Sequence, residues 1–416
     1  MLAVPSYPWF APGERLPVAP GETTPFILSP PPAPLGRLFL RRDQHLDAAG
    51  IAELKALAWP SAAGGAAASR IFTQAWSYPA PYYVAEFALG QGATRALALG
   101  PYASLFAFRI ASVALAVPLW LWVWVRLGQS GALSGWRRLL SLAILTNPML
   151  AFLTSSVNPD AVFAPLGALA LLATCELVES GTRIRSAVAI YAMVALAKPS
   201  GPLLLAVLLL VVLATHLIPR WRTGHALRAA LAILAAGTIA VLSAYAWMPP
   251  RTYGSTVQGG PDAIGAARWL WRVWKSYWGT PGYLDYWLPN GWYVALTALW
   301  LVNVSVAFRK WIGGLTAGGD STERAAPFVF AAAALFAGAI IAGSLASIPG
   351  LGFSVQGRYL LPVGLGLAAV LVHRRPPAAW ALVACLGLFH FALAHESVVR
   401  YFGGDYALLL HSLPWR

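Results

Sequence analysis

Charge is scarce in this 416-residue chain: Asp, Glu, Lys and Arg together make 11% of it, and 15 acidic residues face 29 basic ones. A water-soluble domain devotes about a quarter of its residues to charge, so an ordinary soluble globule is excluded. Cysteine is nearly absent. Cys175 and Cys385 fall inside apolar runs, where they read as small buried hydrophobes and report nothing about a redox compartment. No Walker glycine loop occurs, which excludes an ATP-driven pump. His-Glu-x-x-His, a cysteine-based metal pattern and a dinucleotide-binding glycine fingerprint are missing as well. The apolar runs lack period-two alternation, so a membrane β-barrel is excluded. A secretory signal peptide is not visible either, because MLAVPSYPWF is too short and too rich in proline.

What the chain has is hydrophobic length. Apolar residues make 58% of it and the mean hydropathy is +0.64. From residue 101 onward, runs such as LLLAVLLLVVLATHLIP recur, many close to the ~20 residues that a helix needs to cross hydrocarbon. The fold class that follows is all-α: a polytopic transmembrane bundle of about ten spans. The spans are read at 101–125, 138–154, 160–178, 185–199, 201–218, 227–247, 292–308, 327–347, 359–373 and 378–395. Prolines at 118, 148 and 165 fit membrane helices, where neighbours satisfy the freed backbone groups. Residues 1–100 form an N-terminal segment with short helices expected at 43–58 and 81–97. The second carries Glu86, Gln91 and Arg95 and is placed in the membrane interface. Residues 101–395 form the transmembrane domain, and 396–416 a C-terminal tail.

Loop charge sets the orientation. Arg126, Arg137 and Arg138; Arg183 and Arg185; Arg220, Arg222 and Arg228; Arg309, Lys310 and Arg324; and Arg374 with Arg375 all fall in alternate loops. The positive-inside rule puts that set in the cytoplasm. This also disposes of nucleic acid as the partner for a net charge of +14, since the cations sit in short inter-span loops. Asn158, Asp160, Lys198, the 248–291 loop, Gln356 and Arg358 then face outward, as do residues 1–100. An N-terminal part on the outer side then implies either a first transmembrane helix missing from this start site or an unusual route for residues 1–100.

Five stretches on that outer side carry chemistry. In TSSVNPDAVF (154–163), Asn158 or Asp160 is either the cap of the next helix or a contact for a metal, sugar or partner. In ALAKPSGP (195–202), Lys198 closes a helix, where the dipole favours a cation. It either snorkels to the interface or holds a phosphate. The 248–291 loop interleaves Trp269, Trp271, Trp274, Tyr277, Trp278, Tyr283, Tyr286 and Trp287 with Arg268, Arg272 and Lys275. An aromatic belt explains part of it; the rest is either packing at the lipid interface or rings that stack on sugars beside phosphate-holding cations. In SVQGRYLLP (354–362), Gln356 and Arg358 sit at a span mouth, where arginine clamps a phosphate or snorkels. At the N-terminal end, RRDQHLD (41–47) offers Asp43, His45 and Asp47, in a segment that also reads as a solvated helix.

Six segments resemble, in order, the bacterial membrane family called domain of unknown function 2142. They are SYPAPYYVAEFAL (77–89), RIASVALAVPLW (109–120), TSSVNPDAVF (154–163), ALAKPSGPLLLAVLLL (195–210), VWKSYWGTPGYLDYWLP (273–289) and QGRYLLP (356–362). That family looks like a branch of the C-type (GT-C) glycosyltransferases. The resemblance implies a transferase of the inner membrane that uses a polyprenyl-phosphate-linked sugar as donor. It would act on a cell-envelope glycan or lipid acceptor at the outer face. An acidic residue of the first outer loop then serves as general base, or as ligand of a divalent cation such as Mg2+ or Mn2+. The corresponding segment here is Asp43-Gln44-His45, with Asp47 following. On this reading Arg358, Lys198, Gln356, Arg268 and Arg272 bind the donor phosphate. Trp278, Tyr283, Asp285, Asn158, Asp160 and Tyr82 contact the sugar or acceptor. The alternatives are a transporter or flippase of lipid-linked sugars, which would bind near the bilayer midplane, and a non-catalytic assembly protein.

Overall fold

The computed structural model describes residues 45–56, 80–129, 141, 143, 148–155, 158–180, 182–198, 200–215, 263–279, 288–302, 329, 331–341, 360–364 and 376–414. Among them there is helix and connecting turn but no strand. The helices are α1 (Ala48–Lys55), α2 (Ala80–Ala96), α3 (Pro101–Gln129), α4 (Pro148–Thr154), α5 (Asp160–Ser180), α6 (Ile184–Ala197) and α7 (Gly201–Thr215). After these come α8 (Ala263–Trp278), α9 (Asn290–Val302), α10 (Ala331–Ile341), α11 (Pro376–Phe402) and α12 (Tyr406–His411).

The chain is an integral membrane protein by the length and composition of these helices. Three segments, Tyr102–Gln129, Asp160–Val178 and Trp380–Phe402, are long and apolar enough to cross a bilayer, and four further helices are apolar but shorter. The sequence reading expected about ten spans. Its 227–247 span lies outside the described residues, and 138–154, 185–199, 201–218, 292–308, 327–347 and 359–373 are described only in part. The exposed face of α3 is a continuous apolar stripe of Ile110, Val117, Leu121 and Val125, and α11 exposes Trp380, Leu388 and Phe391, the last at 72%. Water would penalise such stripes, whereas lipid tails accept them.

α5 is the central helix. It is apolar all round, as a helix surrounded by others must be, and it packs on α3, α4, α6 and α7. Its polar groups are few, and Thr174 is bonded within the bundle: Thr174 Oγ1 donates to Ala170 O and shares a 2.7 Å hydrogen bond with Tyr191 of α6. Gly167 lets Pro362 pack directly on the α5 backbone, where any Cβ would overlap the proline ring. α5 and α6 run antiparallel. Asp160 therefore meets Lys198 at one end, and Glu176 meets Arg183 at the other. From Asp160 to Glu176 the helix rises about 24 Å at 1.5 Å per residue, close to the thickness of a hydrocarbon core. The two ends are called below the Asp160 edge and the Arg126 edge.

At the Arg126 edge, Glu176 pairs with Arg126 at 3.0 Å and lies 3.7 Å from Arg183, whose guanidinium also donates to Gln129 Oε1. The C-terminus of α3, the C-terminus of α5 and the start of α6 are thus tied together. This is one of the Arg-rich turns that loop charge assigns to the cytoplasm.

At the opposite side, α2 lies outside the spanning set and runs back along the N-terminal half of α3. Its inward stripe recurs every four residues, at Tyr82, Glu86, Gly90 and Thr94, and all four are buried. Gly90 sits directly on the Phe108 ring of α3. α1, α12 and the end of α11 gather near the first turn of α3. There Tyr102 donates to Ser412 O at 2.5 Å, Leu46 N donates to Tyr401 O, and His45 Nδ1 bonds Arg400 O.

The 248–291 segment, expected as an aromatic loop, contains a 16-residue amphipathic helix, α8. The cause is a spacing of three and four: Trp271, Trp274 and Trp278 share one face, while Arg272 stands exposed on another. Trp274 stacks on Tyr277 and meets Trp300 of α9 edge-on, with its Nε1 donating to Thr297 Oγ1 at 2.7 Å. Tyr293 of α9 donates to Gly279 O and accepts from Leu288 N, which ties the end of α8 to the start of α9.

Candidate functional site

The Asp160 edge holds a group of buried polar side chains drawn from four helices. The Asn158-Pro159-Asp160 turn starts α5. Asn158 Oδ1 accepts from Asp160 N at 2.9 Å, so the asparagine supplies the helix-start contact and leaves the Asp160 carboxylate for another use. Asp160 turns inward, where its Oδ1 accepts a charge-assisted bond from Lys198 Nζ. Lys198 is the extended C-cap of α6, as its place at a helix end predicts. Both side chains are at most 5% exposed. The ammonium also lies 6.0 Å from the centroid of the Phe163 ring, within reach of a cation–π contact.

Tyr82 of α2 joins this group. Its hydroxyl shares a 2.7 Å hydrogen bond with Ser112 of α3 and accepts from Asn158 N at 3.2 Å. Burial pushes the phenol pKa well up, and the nearby carboxylates of Glu86 and Asp160 add to the effect. Tyr82 therefore stays a neutral hydroxyl that bridges α2, α3 and the start of α5. One turn further along α2, Glu86 is 2% exposed. Its Oε1 accepts no hydrogen bond among the described residues. Burial raises its pKa from 4.5 to about 8, because a carboxylate without water is costly and the proton neutralises it. Together, Glu86, Tyr82, Ser112, Asn158, Asp160 and Lys198 provide a proton carrier, hydroxyl groups and a buried ion pair in one place.

The aromatic end of α8 belongs to the same half of the molecule. Tyr277 packs against a cluster formed by Met149, Leu150, Leu153, Ala164 and Leu361, and Ala164 lies one turn along α5 from Asp160. Trp278 is 1% exposed and its ring is part of the main core. Its Nε1 has no hydrogen-bond partner among the described residues. Burial lifts the Tyr277 hydroxyl to about 12. Lys275 reaches Asn290 Oδ1 at 3.3 Å, and burial together with Arg272 lowers its pKa.

The residues singled out in the sequence divide as follows. Asn158, Asp160, Lys198 and Tyr82 come together. Trp278 lies in the core beside Tyr277, and Arg272 is exposed on α8. Arg268 lies on the same helix. Asp47 is exposed and caps α1, its carboxylate accepting from Gly50 N at 2.7 Å. Asp43, Tyr283, Asp285, Gln356 and Arg358 lie outside the described residues. No group of three His, Cys, Asp or Glu side chains is placed to hold a metal ion among the described residues. Glu86 and Ser112 were not singled out. The spacing of Tyr82, Glu86, Gly90 and Thr94 was the available signal, since it puts a carboxylate on the packed face of α2.

The family described as predicted membrane protein (DUF2142) matches residues 51–367. Glu86, Asp160, Lys198 and Arg358 fall within that stretch, and Asp43 and Asp47 precede it. No curated protein and no solved structure matches the chain.

Proposed function

We propose that this chain, which belongs to the family of predicted membrane proteins DUF2142, is a membrane-embedded glycosyltransferase working at its Asp160 edge. The observation that carries the reading is the gathering of a buried carboxyl, a buried phenol and a buried ion pair at one edge. Glu86, Asp160 and Lys198 gather under Tyr82 and Asn158 at one edge, while ion pairs tie the helix ends together at the other. Loop charge assigns the Asp160 edge to the outside of the inner membrane. A site there suits a donor whose polyprenyl tail lies among helices while its phosphate stays at the interface. The resemblance to C-type glycosyltransferases points the same way. A transporter would place its binding groups nearer the midplane, and the central length of α5 is apolar instead.

In this mechanism Lys198 and Arg358, with Gln356, Arg268 and Arg272, stabilise charge growing on the leaving phosphate. Asp160 keeps Lys198 oriented until the donor arrives. Asn158, Tyr82, Trp278, Tyr283 and Asp285 shape the sugar and acceptor pocket. A carboxylate takes the acceptor hydroxyl's proton, with Asp43 and Asp47 as the candidates from sequence. A single displacement inverts the anomeric centre.

The test uses the full chain in vesicles containing radiolabelled polyprenyl-phosphate sugars and a lipid extract as acceptor. Expected are sugar transfer with release of polyprenyl phosphate, and a loss of about 100-fold for Arg358→Ala. Movement of intact donor between leaflets without cleavage, or no turnover with any polyprenyl-phosphate sugar, would overturn the assignment.

A further inference from the structure

Most groups at the Asp160 edge are already committed to one another. Asp160 holds Lys198, Tyr82 holds Ser112 and accepts from Asn158, and the Asn158 side chain holds the start of α5. Glu86 is different: a carboxyl buried on α2, one turn from Tyr82, with an oxygen that no described group engages and no ion pair to a described cation. A structural role alone would be served as well by glutamine or methionine, at no cost in desolvated charge. A carboxyl buried there without a cation among the described residues is suited to a use that needs a proton.

We infer that Glu86 is the acid–base residue of this site, accepting the proton of the acceptor hydroxyl as the sugar is transferred. The inference rests on the transferase reading. The acceptor oxygen forms a bond to the anomeric carbon, and the bond from that carbon to the phosphate oxygen breaks. Polyprenyl phosphate leaves with the electron pair, and the hydroxyl proton passes to the Glu86 carboxylate. Asp47 is less suited. It is exposed and committed to its helix cap. Its helix, α1, joins the group gathered near the first turn of α3, where Tyr102 bonds Ser412. That turn lies about 15 Å of helix away from Ser112.

The charged and titratable groups around Glu86 are few. Tyr82 and the exposed Arg95 stand on its own helix, and Arg109 on α3 is exposed. Asp160 on α5 and Lys198 on α6 neutralise each other. Desolvation is therefore what sets the affinity of Glu86 for its proton, and it brings that affinity near neutrality at about 8. A general base is most effective with a pKa close to the working pH.

The experiment compares wild type, Glu86→Gln and Glu86→Asp in the vesicle assay between pH 5.5 and 9. For wild type, kcat/KM is expected to rise about tenfold per pH unit and to level off near pH 8, as the carboxyl ionises. Glu86→Gln matches the side chain in shape, so it folds. Its kcat should fall at least 100-fold with KM within about twofold, and the rising limb should vanish. Glu86→Asp should restore part of both. A Glu86→Gln enzyme within about threefold of wild type, with the rising limb intact, overturns the role of Glu86 and leaves the transferase standing. A wild type that transfers no sugar at all fails at the earlier step and removes both.

Discussion

The Asp160–Lys198 pair sets up the sharpest test of how this edge is built. Replacing Lys198 with methionine keeps most of the side-chain volume and removes the charge. Both partners are buried, at 3% and 5% side-chain exposure, so the discount for a solvent-screened surface pair does not apply. The Asp160 carboxylate would lose its cation in a site closed to water, and breaking a buried pair in this way costs about 3–5 kcal/mol. In equilibrium terms that is a shift of roughly two to four decades toward the unfolded state. Asp160→Asn should cost a similar amount from the other side, because the ammonium is then the buried charge left behind. The double variant, Asp160→Asn with Lys198→Met, carries no charge there and should be more stable than either single variant. A double-mutant cycle would show a coupling energy of about 2 kcal/mol or more. The assay is reversible unfolding of the purified full chain in bicelles, followed by tryptophan fluorescence. Single variants within about 0.5 kcal/mol of wild type, with additive effects in the double, would place the two groups in water and refute the buried pair.

Sidedness is open to direct measurement in a background with Cys175 and Cys385 replaced by alanine. Cysteine placed at Thr182, in the exposed turn at the Arg126 edge, should react with an impermeant maleimide only from the cytoplasmic side. Cysteine at Ala407, exposed on α12 beyond α11, should react only from the outside. Labelling of both from one side would refute the topology. Stability should also respond to pH through Glu86. Its folded pKa, about 8, is raised above the ordinary 4.5, so the folded chain holds a proton that the unfolded chain has released. Stability is then highest below about pH 4.5, falls by up to about 1.4 kcal/mol per pH unit as the pH rises toward 8, and is flat above that. Glu86→Gln should lack that slope in the same unfolding assay, and a slope left unchanged by the substitution would place the titration elsewhere.

How much of this was written in the sequence depends on what each signal encodes. Long apolar runs encode burial in lipid or core, so helix class and membrane placement were legible, as were the starts of α3, α5 and α7. Loop arginines encode an edge, and that is why Arg126 and Arg183 fell on one side of α5 and Asp160 with Lys198 on the other. The short helices at 48–55 and 80–96 were also legible, expected at 43–58 and 81–97. The α8 helix was misread as loop because its length of 16 residues and its arginines argue against a span. Its helical character shows only in the three-and-four spacing of its tryptophans.

Pairing is what a linear reading cannot supply. Asp160 and Lys198 each looked like an end-of-helix residue with several uses, and neither predicts the other across 38 positions. Their meeting is a consequence of α5 and α6 running antiparallel with a short turn at the far end. Glu86 was legible as a polar residue and was read as a reason to keep α2 out of the bilayer. The structure gives that same carboxyl the opposite surroundings: α2 stays outside the spanning set, yet its polar stripe faces inward onto α3 and α6. A helix whose inward face carries Tyr82 and Glu86 gains little from apolar burial. Its position must be held by hydrogen bonds such as Tyr82 to Ser112 and by the close fit of Gly90 on Phe108. Those contacts hold a carboxyl one turn from Tyr82, whose hydroxyl reaches the Asn158 turn, in surroundings dry enough to keep it protonated near neutral pH.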